Sequence, residues 1–204
     1  MRSIRRGIFL GIGLMAMVGQ VWAGVKTFRT AATDDRNQVK FVSEASVETV
    51  SGTTREIYGF ARLDLDDLPT APEASFEVNL ASLKTGIALR DQHMRENHLE
   101  TEHYPNAVFT LKKFVSSGNP KLESGGRTEL VAEGDLLLHG ITKTYQIPLT
   151  IARQSGAQGD VLTVTGEWTV KLGDHEIPRP QFLFLRLAEE QKISVTVVLT
   201  ESDS

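Results

Sequence analysis

Glu129-Leu130-Val131-Ala132-Glu133-Gly134-Asp135-Leu136-Leu137-Leu138, followed after His139-Gly140 by Ile141-Thr142-Lys143-Thr144-Tyr145-Gln146-Ile147-Pro148-Leu149-Thr150-Ile151, is the stretch that decides the fold. In its first half Leu130, Ala132, Gly134, Leu136 and Leu138 alternate with Glu129, Glu133 and Asp135. In its second half Tyr145, Ile147, Leu149 and Ile151 alternate with Thr144, Gln146 and Thr150. Successive side chains of a strand point to opposite faces, so a period of two marks strands with one apolar face each. The link His139-Gly140-Ile141-Thr142 reads as a hairpin turn, with Gly140 free to take a positive φ.

The same period recurs outward from this hairpin. Phe76, Val78 and Leu80 alternate with Glu77 and Asn79, and Leu162, Val164, Trp168, Val170 and Leu172 alternate with Thr163, Thr165, Glu167, Thr169 and Lys171. Ile193, Val195, Val197 and Leu199 form a further set, and weaker candidates at 38–43, 54–65 and 106–114 bring the total to about eight strands. Only Ile87 to Glu100 reads as a helix, with Ile87, Leu89, Met94 and Leu99 among charged residues and caps offered by Asn79 to Gly86. One short helix cannot cover a broad apolar sheet face, so the sheet is expected to close on itself. The fold class is therefore all-β, an antiparallel barrel of about eight strands with one short helix, a size that holds a small ligand. One piece, Gly173 to Arg186, breaks the alternation. Its prolines rule out a central strand, and Phe182-Leu183-Phe184-Leu185 is too apolar for a solvated loop. It is expected to pack on the core, plug one end of the barrel or form its mouth.

The N-terminus reads as an export signal, expected to be cleaved after Ala23. Arg2, Arg5 and Arg6 precede an uncharged apolar stretch from Gly7 to Gly19, and Val21-Trp22-Ala23 offers small residues at the peptidase subsites. That stretch is shorter than the ~20 residues of a membrane-spanning helix, which argues against a stable membrane span. Residues 24–204 then form one domain in the periplasm. Loss of three arginines moves the net charge from −4 to −7, which speaks against a nucleic-acid partner, whose affinity would rest on a basic footprint. Cysteine is absent, so neither disulfides nor thiolate chemistry are available.

Catalytic patterns are weak. His93, His98 and His103 are spaced by five, roughly 140° apart on a helix, and cannot share a face. No His pair has the helical zinc spacing of three or four. No Gly-x-Ser-x-Gly occurs, and the cluster Asp64, Asp66 and Asp67 suits a turn cap better than a cation. No catalytic residue, metal site or cofactor is expected. Arg90, His93 and Arg95 lie on a helix beside a strand end, where a barrel opens, and such donors suit an anionic or polar head group. The competing reading is an ion-pair network of Arg90, Asp91 and neighbouring carboxylates.

These residues closely resemble the signature of the YceI-like, polyisoprenoid-binding family. The resemblance is carried by Ser82-Leu83-Lys84-Thr85-Gly86, Arg90-Asp91-Gln92-His93-Met94-Arg95, Tyr104-Pro105-Asn106-Ala107-Val108-Phe109 and Gly134-Asp135-Leu136-Leu137-Leu138-His139-Gly140-Ile141-Thr142-Lys143. It implies a lipocalin-like barrel whose internal apolar tunnel holds a long isoprenoid or another amphiphile. Where the family commonly shows Asp-Arg-x-x-Phe-Gly, this chain has Lys171-Leu172-Gly173-Asp174-His175-Glu176-Ile177-Pro178. The expectation is a periplasmic carrier of a long-chain lipid, of isoprenoid quinone or prenyl phosphate type, rather than an enzyme. Phe76, Val78, Leu80, Phe109, Leu136, Leu138, Ile147, Leu149 and Trp168 are expected in the tunnel wall, and Arg90, His93 and Arg95 at the polar end. Two rivals remain: a metal-dependent or redox enzyme using His93, His98, His103, His139 or His175, and an envelope stress protein with a packed barrel. A homodimer is compatible with the carrier reading.

Overall fold

The computed structural model describes residues 24–45, 49–117, 120–182 and 185–202, so the expected signal, residues 1–23, lies outside the described residues. In chain order the strands are β1 (Val25–Thr30), β2 (Gln38–Ala45), β3 (Thr49–Thr54), β4 (Ile57–Asp64), β5 (Glu73–Asn79), β6 (Asn106–Ser117), β7 (Arg127–Leu138), β8 (Ile141–Gly156), β9 (Gly159–Lys171), β10 (Gln181–Phe182) and β11 (Leu185–Glu201). A 3-10 turn at Leu80–Ser82, helix α1 (Ala88–His93) and a π turn at Met94–His98 lie between β5 and β6. A second 3-10 turn covers Leu172–His175.

The sheet closes. Neighbours run β1-β4-β5-β6-β7-β8-β9-β11, and β11 pairs back onto β1, which makes a ring of eight antiparallel strands. Closure leaves one enclosed apolar face, while β2 and β3 extend the sheet from the remainder of the β11 edge. The deciding hairpin forms with a two-residue loop, Leu138 paired with Ile141, and both loop residues take positive φ: 51° at His139 and 77° at Gly140. That is the loop conformation whose twist matches the flanking strands.

β11 serves two partners along one edge, β1 through Leu199–Glu201 and β2 through Leu187–Thr196. The ladder is interrupted between them, and Asn37 fills the gap. Its Oδ1 accepts from Val198 N at 2.8 Å, its Nδ2 donates to Ala31 O at 2.7 Å, and the residue is 1% exposed. Asn37→Ala would leave Val198 N–H buried without an acceptor, and is expected to cost about 2 kcal/mol, or roughly 6 °C in Tm by thermal denaturation. A change under about 1 °C would mean that the strand switch does not depend on this side chain.

The two ends of the barrel differ. At one end, the loops after β4 and after β6 fold across the opening: Leu68 N donates to Pro120 O and Leu122 N to Leu65 O. They bring Leu65, Leu68 and Leu122 onto Phe28, Leu63, Leu130, Ile151, Leu162 and Leu199, a packed core sealed from solvent. Asp160, itself buried, clamps this end, accepting from Lys26 at 2.8 Å and Arg153 at 2.7 Å. These cations and the Ser155 hydroxyl hold its carboxyl well below the usual range despite burial, which by itself would raise it. At the other end lie α1, the β7–β8 turn and the Leu172–Pro180 segment, and there the interior is hollow.

Candidate functional site

The cavity in the hollow half has a volume of about 630 Å³ and an almost wholly apolar wall. Each wall strand contributes the inward set of its alternation. Phe76 and Val78 come from β5, Phe109 from β6, Leu136 and Leu138 from β7, Ile147 and Leu149 from β8, and Trp168 from β9. Leu80 also lines it, from the 3-10 turn that ends β5 rather than from the strand. All nine expected wall positions therefore face one space.

Glycines help to keep that space open. A Cβ on Gly134 would lie 2.3 Å from the Phe109 ring, and one on Gly52 would lie 2.3 Å from the Phe41 ring. On Gly166 it would meet Leu149 Cδ2 at 2.5 Å. The large side chains thus sink into notches of the neighbouring strand instead of filling the centre. A barrel of this size with full side chains at those positions would be packed.

The polar members of the wall gather at the mouth. Thr85, Arg90, His93 and His98 all come from the excursion between β5 and β6, and Gln191 comes from β11. α1 has no side-chain N-cap, because Ile87 occupies that position. The caps expected from Asn79 to Gly86 act elsewhere: Asn79 caps the 3-10 turn by accepting from Ala81 N. The helix is instead tied down from within by Asp91, which is 8% exposed and accepts from both the backbone N–H and the hydroxyl of Thr85. Arg90 completes the knot, donating through Nε to Thr85 Oγ1 at 2.8 Å and through a terminal nitrogen to Thr85 O at 3.1 Å. Arg90 thus has a structural role while facing the cavity. Arg95 is not among the lining residues, and Met94 and Leu99 line it from the same segment.

The histidines are spread over several roles. His98 donates from Nδ1 to Pro178 O at 2.9 Å, joining the helical segment to the Pro-rich segment across the mouth. His139 donates from Nδ1 to His175 O at 3.0 Å, and its ring lies 4.5 Å from that of Tyr104. Gly140 permits this approach, since a Cβ there would lie 2.8 Å from Tyr104 Cε1. Tyr104, His139 and Gly140 therefore clamp the helical excursion onto the β7–β8 turn. His175 is fully buried, with Nδ1 toward the carbonyls of Leu138 and Ile141 and Nε2 accepting from the Tyr145 hydroxyl at 3.0 Å. Among the described residues no three of His, Asp and Glu gather where a metal ion could be held.

Burial pushes the pKa of His175, and of His98, below the ordinary 6.5, outweighing the opposing hydrogen bonds to carbonyls. In the folded protein both stay neutral at a pH where the unfolded chain takes up protons. Stability from this source is present above pH 6.5 and is lost as pH falls below it toward the lowered folded values. The expected slope is at most about 1.4 kcal/mol per pH unit for each group. Urea unfolding of the protein and of His175→Gln between pH 7.5 and 5 checks this. The variant is expected to be less stable at neutral pH but to have a flatter dependence; equal slopes would refute the assignment.

The Gly173–Arg186 segment contributes to the mouth through Ile177 and Pro180, while Gln181–Phe182 forms a small hairpin with the start of β11. Residues 183–184 lie outside the described residues. The cavity also takes residues that the alternation did not single out for the wall: Val39 and Phe41 of β2, Val50 of β3, and Ile193, Val195 and Val197 of β11. Among these, β3 is only six residues with glycine and threonines, a weak signal for a wall strand.

Residues 31–199 match the family model described as the YceI-like domain. The protein called YceI from Escherichia coli O157:H7 is 33% identical over 110 residues, 53% of this chain and 50% of that protein. The chain thus spans about half the length of the curated relatives it matches. A solved polyisoprenoid binding domain from Saccharophagus degradans, implicated in plant cell wall breakdown, superposes with a TM-score of 0.64 at 18% identity, covering 88% of this chain and 99% of that one. BcnA of Burkholderia cenocepacia gives a TM-score of 0.61 at 20% identity, over 79% and 95%. At these identities the two structures establish the shared fold.

Proposed function

We propose that this chain, which belongs to the YceI-like domain family, is a periplasmic carrier of a long-chain amphiphilic lipid of polyisoprenoid type, held in the barrel cavity. The observation that carries this reading is the cavity itself: about 630 Å³ of apolar space inside one half of the barrel, with the polar groups Thr85, Arg90, His93 and His98 at its mouth. A chain buried there would gain about 25 cal/mol for each Å² of apolar surface removed from water. A head group left at the mouth would meet hydrogen-bond donors. The polyisoprenoid binding domain of the same fold supports the choice of an isoprenoid over other long chains. The role is that of a binder rather than an enzyme, since the inward groups are those that solvate a hydrocarbon. Export to the periplasm is part of this reading and rests on residues 1–23.

The test is native mass spectrometry with lipid extraction, on protein recovered from the periplasm of its own cells. The expected result is a stoichiometric adduct whose extracted mass is that of an isoprenoid. Protein that is recovered without lipid and also refuses added isoprenoids would overturn the reading.

A further inference from the structure

The hollow and packed halves of the barrel meet at a fixed boundary, and that boundary limits how much chain the cavity can take. On β7, β8 and β9 the inward positions Leu136, Leu149 and Val164 line the cavity, whereas Leu130, Ile151 and Leu162 on the same faces belong to the sealed core. Ile57 and Val197 belong to both, and Val164 and Val195 line the cavity while packed against the core. These four side chains form its floor. Beneath them Leu65, Leu68 and Leu122 are at most 4% exposed. Their loops are tied together across the barrel by Leu68 N donating to Pro120 O at 2.8 Å and Leu122 N to Leu65 O at 2.7 Å. A chain entering at the mouth therefore runs into a wall.

Volume and depth give the same capacity. About 630 Å³ holds about 25 carbon atoms, on the scale of a cavity of about 150 Å³ that takes one benzene ring. The wall runs from Val164 in β9 to Leu172 just beyond it, about 20 Å along the barrel axis at ~3.3 Å per residue and a strand tilt of ~40°. An extended chain advances ~1.2 Å per bond, as the protein backbone does, so about four isoprene units span that depth. We infer that the cavity measures chain length: it takes a single chain of about four to five isoprene units, whose head group then reaches the polar groups at the mouth. A longer polyprenyl chain would leave its remaining units outside in water, and a shorter one would leave the floor bare. This inference rests on the lipid-carrier reading above and narrows its ligand class.

The experiment sets prenyl monophosphates that differ by one isoprene unit, from two units to eight, in pairwise competition for the protein at submicellar concentration. Native mass spectrometry reads the ratio of the two complexes. The longer chain should win by roughly tenfold or more at each step up to four or five units, because each added unit is buried, and by less than about threefold at each step beyond. Val164→Phe/Val195→Phe adds about eight side-chain carbons at the floor and should lower the limit by one or two units, whatever it does to affinity itself. Circular dichroism checks that this variant folds, and the series on the unsubstituted protein decides the matter if it does not. A preference that keeps rising through eight units would overturn the inference while leaving the carrier reading intact. An unchanged limit in the folded variant would also overturn it. Protein that binds none of the chains would overturn both.

Discussion

Phe28→Ala is expected to destabilise the protein by about 4 kcal/mol, whereas Phe109→Ala should cost less than about 2 kcal/mol and act mainly on ligand affinity. The two phenylalanines sit in the same barrel and differ in what lies beside them. Phe28 is 0% exposed and packed among Leu63, Leu162 and Leu199 at the sealed end, so its removal leaves a cavity that rigid strands cannot collapse. Phe109 already faces open space and touches the wall through the notch at Gly134, so fewer contacts are lost. For a domain whose total stability is of the order of 5–15 kcal/mol, the first change approaches unfolding at physiological temperature. Urea denaturation of both variants measures the difference. Equal losses would mean that the barrel is packed throughout.

Leu138→Trp is the second large effect. Leu138 lines the cavity near the β7–β8 turn, at the mouth end. In a solid core the added ring would clash and cost about 1–3 kcal/mol. In a hollow barrel it should instead occupy the path of the ligand, lowering lipid affinity at least roughly tenfold while Tm moves by no more than about 3 °C. Titration with a long-chain lipid, alongside a melting curve, separates the two. A variant that melts far lower yet binds normally would place the ligand elsewhere.

The barrel was legible because alternation carries over the length of each wall strand, and a single short helix leaves closure as the way to bury the inner face. The nine expected positions share one cavity for the same reason: strand parity places Leu136 and Leu138, or Ile147 and Leu149, on one face whatever the details of the loops. Parity carries no information about depth, however. Leu130 and Leu136 are on the same face of β7, yet one belongs to the sealed core and the other to the cavity. What separates them is the pair of loops bearing Leu65, Leu68 and Leu122, long-range partners with no periodic signal. The short β1 and the switch at Asn37 were equally hard to read, since each is defined by where β11 changes partner, and the glycine- and threonine-containing β3 joins the sheet through β2. On α1 the sequence placed Arg90 and His93 at the open end, but the bonds of Arg90 to Thr85 depend on a loop geometry that spacing alone does not encode.

A hydrocarbon chain held in the hollow half of the barrel would lie against Trp168, which offers a direct probe of it. The sequence has two tryptophans, Trp22 and Trp168, so in protein lacking residues 1–23 the indole in the cavity wall is the sole tryptophan emitter. Titration with a long-chain lipid brominated along its chain should quench this emission in saturable, one-to-one fashion, with mid-chain bromine more effective than bromine beside the head group. Saturable binding without quenching, or quenching strongest from the head group, would contradict the account by placing the chain outside the cavity or reversing its direction.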